Sequence, residues 1–179
     1  MIHNVISAIS YRLDEHLKNK LSISETAISV NSLVDIKGNI NQEIENKISV
    51  FLLNIEEEKI SKNANHQHFS GSNPPVSVNI FLMFSAYFPN SNYLEALRYI
   101  SLVIDFFQSN NHFNSSNTPG LPANIDRLSV ELNNISLDEI SKLWGNIGAN
   151  YIPSVSYKVK QITFDGNMID EIIPKILGN

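Results

Sequence analysis

The chain contains no cysteine, which excludes disulfides, thiolate metal sites and a cysteine nucleophile. It is also short of positive charge: 13 Lys and Arg stand against 18 Asp and Glu, a net charge of -5. That balance argues against a nucleic-acid binder, because phosphate contacts need clustered cations. Long hydrophobic runs are missing as well. The apolar run from Ile80 through Met83 to Phe88 is far too short to span a bilayer, so no membrane insertion is expected. The start Met1-Ile2-His3-Asn4 has neither the basic segment nor the small-residue cleavage site of a signal peptide, and cytoplasmic synthesis is the expectation. No Gly-rich phosphate loop, nucleophile elbow or metal-binding helix occurs. No catalytic residue, cofactor site or metal site is therefore assigned.

What is present suits a single domain spanning 1–179 with a sizeable core: 179 residues, 42% of them hydrophobic. The rest of the chain is organised around residues 73–108. Val76, Val78, Ile80, Leu82, Phe84, Ala86 and Phe88 alternate with residues that start polar, the period of a strand with one face in the core. Asn92-x-x-Glu95 then reads as a capping box opening a helix over 93–107. That helix is apolar on more than one side, which predicts burial against its own sheet and against something else.

Around this centre, Ile2, Val5, Ile6, Ile9, Leu13 and Leu17 recur at helical spacing, predicting an amphipathic helix over 2–19 with Asp14, Glu15 and Lys18 on its outer side. Residues 27–31 and 48–55 read as strands, joined by a polar connection punctuated by Gly38. Residues 59–75 and 110–124 read as loops, the first long enough to be a contact loop. Leu128, Val130 and Leu132 predict a half-exposed strand. Ser136-x-x-Glu139, with Ile135 and Ile140 placed as a staple, opens a helix over 137–146 that carries Trp144 and exits at Gly145 and Gly148. In 154–163, Val155, Tyr157 and Val159 face in. Ser156, Lys158 and Lys160 face out, the lysines as a solvated face or an edge defence. The stretch 165–179, with Met168, Ile169, Ile172, Ile173, Ile176 and Leu177 around Pro174, packs on its own core or reaches a neighbouring subunit. The order α-β-β-β-α-β-α-β describes an α+β domain, a mixed, mostly antiparallel sheet packed by about three helices.

Three polar features could carry chemistry. Glu56-Glu57-Glu58 would suit acid/base work or a hard cation only if the carboxylates converged, but neighbours along a strand diverge, so a solvated strand end is expected. His66-x-His68 lacks a third ligand of the right type nearby. His16 borders an apolar stripe and reads as a helix-border histidine. A small hydrolase using Glu56–Glu58 with His66 or His68 is the weakest of the readings.

Three segments carry a family resemblance: Phe51-Leu52-Leu53-Asn54-Ile55-Glu56-Glu57-Glu58; Asn73-Pro74-Pro75-Val76 with its strand and the Tyr93-x-x-Ala96-Leu97 helix; and Leu143-Trp144-Gly145-x-x-Gly148-Ala149-x-Tyr151-x-Pro153-Ser154-Val155-x-Tyr157-Lys158-Val159. With these the chain resembles the family of the amino-terminal domain of the Photorhabdus virulence cassette cap protein, found also in the antifeeding prophage and related contractile injection systems. The resemblance implies a tail-terminator-like fold and a homo-oligomer, a hexameric ring that closes the inner tube, engages the contractile sheath protein and stops tail growth. It implies the inner tube protein and the sheath protein as partners, cytoplasmic assembly and then a place in the particle, with no nucleic acid. A baseplate or effector-loading adaptor of the same particle is the alternative. Longer cap proteins continue past this domain, so the role of their extra region does not carry over.

Overall fold

A computed structural model of the chain describes residues 1–35, 37–58, 76–89 and 92–164. Helix α1 (Ile2–Leu21) buries Val5, Ile9, Leu13 and Leu17 completely, the stripe its spacing predicts. It ends where Ser22 turns left-handed and donates its backbone N–H to the Lys18 carbonyl. Strand β1 (Ile28–Ser29) follows, then a 3-10 turn at Gln42–Ile44, β2 (Lys47–Glu57), β3 (Val76–Tyr87), α2 (Tyr93–Ser109), β4 (His112–Phe113), β5 (Leu128–Leu132), α3 (Leu137–Ile147) and β6 (Ser154–Phe164).

The described strands form one six-stranded sheet in the order β1-β2-β3-β6-β5-β4. β1 runs parallel to β2, and every other pairing is antiparallel. The fold is thus the mixed, mostly antiparallel α+β arrangement with three helices that the pattern predicts. β3 and β6 lie at its centre, as expected of the longest apolar alternation.

Two β-bulges keep the apolar side chains on one face. In β2 the register with β3 slips at Leu53, so the side chains on the helix side run Ile48, Val50, Leu52 and then resume with opposite parity at Ile55, opposite Ile80; Ile48 and Val50 are buried, Leu52 and Ile55 exposed. In β6 the register slips opposite Asn79, where Gln161 adopts a φ of 72°. Val155, Tyr157 and Val159 face in, and beyond the bulge Ile162 does so, opposite Val78.

The main core lies between the sheet and the α1–α2 layer. Phe84, Phe107 and Tyr157 pack tightly there, with Phe107 and Tyr157 ring centroids 4.4 Å apart, and Phe106 and Phe113 extend the aromatic cluster. A second, smaller cluster joins Trp144 to Leu33 and Ile44, with Phe51 and Tyr87 packed against it. Trp144 is buried as expected.

Several expectations need correction. Asp14 is not on the outer side of α1: it is buried, accepting the backbone N–H of Ala27 at 2.8 Å and pairing with Lys18 at 2.8 Å. Asn92 precedes α2 but makes no side-chain cap, and Glu95 pairs instead with Arg98 at 3.2 Å. The box at Ser136 and Glu139 is formed in both directions. Lys158 and Lys160 defend no edge, because β6 sits between β3 and β5. Ser156 is buried, its Oγ accepting from Asn133. Leu132 is half exposed although its register partner, Tyr157, is core. The polar connection before β2 holds the fully buried Ile44. β4 was not expected at all, because two residues carry no readable alternation. The strand predicted over 27–31 is paired only at Ile28 and Ser29.

Candidate functional site

The triple acid does not converge. Glu56 stands opposite Asn79 and Glu57 opposite Val78, so their side chains leave opposite faces of β2. Glu56 reaches Lys158 at 3.6 Å, and Glu58 accepts from the Asn79 side-chain amide at 2.7 Å. These acids terminate a strand and tie it to its neighbours. His66, His68 and the whole stretch 59–75 lie outside the described residues, as does the apolar stretch 165–179. Among the described residues, no group of three or more His, Asp or Glu side chains is placed to hold a metal.

His16 sits between α1 and α2, its ring 5.2 Å from that of Phe106 and its Nε2 3.6 Å from an Asp105 carboxylate oxygen, beyond hydrogen-bonding range. Burial holds its pKa below the ordinary value, the Asp105 charge opposing and Lys20 adding to that shift. Tyr157 has its phenol pushed up to about 12 by burial, so it stays protonated and acts as packing. Arg12 lies over the Phe113 ring at 5.1 Å and donates to Asn110 at 3.0 Å, pinning the segment after α2 onto α1. Tyr157 and Arg12 thus act in packing and pinning, while His16 packs on Phe106 with its Nε2 buried and without a hydrogen-bond partner.

Clefts are shallow and of mixed character. One of about 490 Å³ is lined by Leu33, Ile40, Ile44, Tyr87 and Trp144, beside the smaller cluster. Another of about 530 Å³ carries Glu25, Glu45 and Glu95 near Tyr99. Neither is lined by Glu56, Glu57, Glu58 or His16. No helix among the described residues is long and apolar enough to cross a membrane.

Two surfaces have the character of contact sites. β1 covers β2 only at Ile48 and Ser49, so from Val50 onward no described strand pairs with that side of the eleven-residue β2. Leu52 and Ile55, turned to the helix side by the Leu53 bulge, are exposed there. Over residues 50–56, a strand margin with no described partner strand and with apolar neighbours invites pairing with another chain. The second surface is the flank of α2. Asp105 and Phe106 meet α1, and Val103 and Phe107 meet the sheet, which leaves Leu94, Leu97 and Ile104 exposed. The over-apolar composition of residues 93–107 signalled this surface. The β2 edge had no such signal, because the brevity of β1 cannot be read from sequence.

A search of curated proteins returns no match. Among solved structures, the fold resembles the sheath/tube terminator, in its extended state, of the extracellular contractile injection system PVC, at 15% identity and a TM-score of 0.62. The match covers 100% of this chain and 64% of that one. It also resembles the tube-terminating cap of the anti-feeding prophage, at 15% identity and a TM-score of 0.52, over 96% of this chain and 59% of the other. The chain therefore spans about three-fifths of the length of those two proteins. The family described as the Pvc16 N-terminal domain matches residues 4–177, and the chain belongs to that family.

Proposed function

We propose that the chain is a structural tail terminator of a contractile injection particle. It closes the inner tube and engages the last sheath layer, and it does so as a hexameric ring, by surface contact and without catalysis. The observation that carries this reading is the agreement of fold with a sheath/tube terminator over the entire chain, joined to family membership over residues 4–177. Among the described residues, Glu56 and Glu57 leave opposite faces of β2, whereas acid/base work needs groups within reach of one reacting atom. The side of β2 that no described strand pairs with over residues 50–56 suits a partner that adds a strand, where main-chain hydrogen bonds supply affinity and tolerate sequence variation. The stretches 59–75 and 165–179 are further candidate contacts. Residues 1–179 form a single domain, assembled in the cytoplasm and then part of the particle.

The test is deletion from a particle-producing strain, followed by electron microscopy of the tails. Loss of the chain is expected to give tubes of widely scattered length, and gold-labelled chain is expected at the end opposite the baseplate. A label at the baseplate end, with tube lengths unchanged, would assign the chain to an adaptor role and overturn the terminator.

A further inference from the structure

The cleft of about 490 Å³ beside the smaller cluster borders a polar group that the fold leaves unused. Trp144 forms one of its walls and is only 4% exposed, yet its indole Nε1 is buried without a hydrogen-bond partner. A buried N–H in that state has given up its bonds to water and gained none in return. Leu33, Ile44 and Ile152 supply apolar lining, and none of the described residues around the cleft has a charged side chain. The cleft near Tyr99 differs in chemistry, being lined by Glu25, Glu45, Lys47 and Glu95. Beside Trp144 a charged ligand would find no counter-ion, whereas an uncharged one leaves no charge unpaired.

Both walls are fixed by their own bonds. On one side Asp35 donates its N–H to the Asn39 carbonyl at 2.8 Å, and its carboxylate accepts the N–H groups of Lys37 and Asn39 at 2.8 and 2.9 Å. This bonding holds Val34 opposite Ile40. On the other side Gly148 closes α3 by donating to the Trp144 carbonyl at 3.1 Å. A recess with fixed walls takes up a partner without a large ordering cost. It is too shallow to enclose a free small molecule, whose sites bury most of the ligand's surface, and Ile40 on its rim is 52% exposed. A side chain that arrives with a protein surface behind it needs no such enclosure.

We propose that this cleft receives an uncharged, apolar residue of another polypeptide. The incoming side chain packs on Leu33, Ile44 and Trp144, while a main-chain carbonyl of the same segment accepts the N–H of Trp144 Nε1. The acceptor has to arrive through the cleft, because the fold around the indole supplies none. A main-chain carbonyl is the uncharged acceptor that every apolar residue brings with it. Tryptophan suits such a contact, offering a large apolar body and one directional donor. The inference goes beyond the terminator reading and does not depend on it, since it names the chemistry of a contact and not the particle in which the contact is made.

Trp144 is the only tryptophan, so a proton–nitrogen correlation spectrum of the labelled full chain contains one indole N–H peak, and no substitution is needed. The probes are acetyl-leucine methylamide, acetyl-glycine methylamide and acetyl-lysine methylamide, which share their carbonyls and differ in side chain. The leucine compound is expected to move the indole peak downfield to saturation, binding at least about tenfold more tightly than the glycine compound. The lysine compound is expected to bind no more tightly than glycine. Nuclear Overhauser contacts are expected between the leucine methyl groups and the Trp144 ring. An indole peak that no probe moves overturns the proposal, and so does equal movement by all three, which is solvation without a site. Binding without contacts to the Trp144 ring lies elsewhere and removes the cleft as the site. A peak that shifts with the concentration of the chain alone would make a second copy the occupant, which also defeats the proposal.

Discussion

The two sides of the sheet are built on different principles. On the helix side, α1 and α2 press an aromatic cluster onto β3 and β6, and the buried residues there are almost entirely apolar. On the other side, one short helix and the segment before β2 enclose a smaller cluster of Leu33, Ile44 and Trp144, and Met83, opposite Phe51 and Ser156, is buried on that face as well. The strand residues beneath them are polar yet buried, among them Ser49, Ser85 and Ser156. The helix side therefore carries hydrophobic stabilisation in proportion to its buried apolar area. The Trp144 side covers backbone with small hydroxyl residues and depends on hydrogen bonds such as that from Asn133 to Ser156. Loss of a large side chain should accordingly cost more on the first side than on the second.

The largest effect is expected for Phe107→Ala, which opens a cavity in contact with Phe84, Phe113 and Tyr157. It should cost about 3–5 kcal/mol, seen calorimetrically as a fall of about 6–20 °C in melting temperature. Trp144→Ala should fall at the low end of the same range, about 3 kcal/mol. Trp144→Phe sharpens the contrast. The indole Nε1 is buried without a hydrogen-bond partner, and an unmade bond of that kind costs about 1–3 kcal/mol. Removing the donor should offset the smaller ring, leaving a net loss of about 1 kcal/mol or less. If Trp144→Phe were as damaging as Trp144→Ala, the sparse side would be held by more than these contacts.

How much of this was legible follows the same division. Helix-side elements were read nearly residue for residue, because apolar periodicity survives wherever one face meets a large core: Val5 to Leu17 in α1, Ile80 to Ala86 in β3, Val155 to Val159 in β6. On the Trp144 side the reading placed Ser156 in solvent, since a buried serine leaves the same pattern as an exposed one. Asp14 was misplaced for a related reason. Its carboxylate is buried because it accepts the Ala27 N–H as the chain enters β1, a long-range partner that no local pattern announces. The candidate surfaces were half legible. The excess apolar residues of α2 pointed to a contact face, whereas the exposure of Leu52 and Ile55 depends on where β1 stops and on a bulge at Leu53.

Asp14 gives an intermediate effect on the helix side. Asp14→Ala leaves the Ala27 N–H and the Lys18 ammonium without their acceptor and should cost about 1–3 kcal/mol. Asp14→Asn should cost less, because an amide oxygen can still accept from Ala27. Equal losses in the two variants, measured by urea denaturation, would place the cost in the lost charge and not in the backbone bond.

A smaller change is expected with pH at the α1–α2 contact. Burial disfavours the charged form of His16, so its folded pKa lies below the ordinary 6.5. Proton uptake is then greater in the unfolded chain between these two values. The contribution is complete above about pH 6.5 and declines as pH falls through the folded value. Asp105 limits the loss, since its carboxylate favours the imidazolium, while Lys20 on the same side adds to it. In His16→Gln the melting temperature should fall less than in wild type between pH 7 and pH 5. An identical decline in both would assign the acid sensitivity to other groups.

The smallest effects set one helix from each side against the other. Ser136 accepts the Glu139 N–H and receives the Glu139 carboxylate on its own N–H and hydroxyl, and this bonding holds the Glu139 pKa below its ordinary value. Ser136→Ala should cost about 1 kcal/mol. Asn92 occupies the matching position before α2 but caps nothing, so Asn92→Ala should change stability by only a few tenths of a kcal/mol, as surface substitutions do. The asymmetry has a physical cause. α2 is held by its buried flank whether or not its first turn is capped, whereas α3 buries only Trp144 fully and relies on its terminus to keep that side chain in place. If the two substitutions proved equally costly, α2 would depend on its first turn as much as α3 does, and the division between a packed side and a capped side would fail.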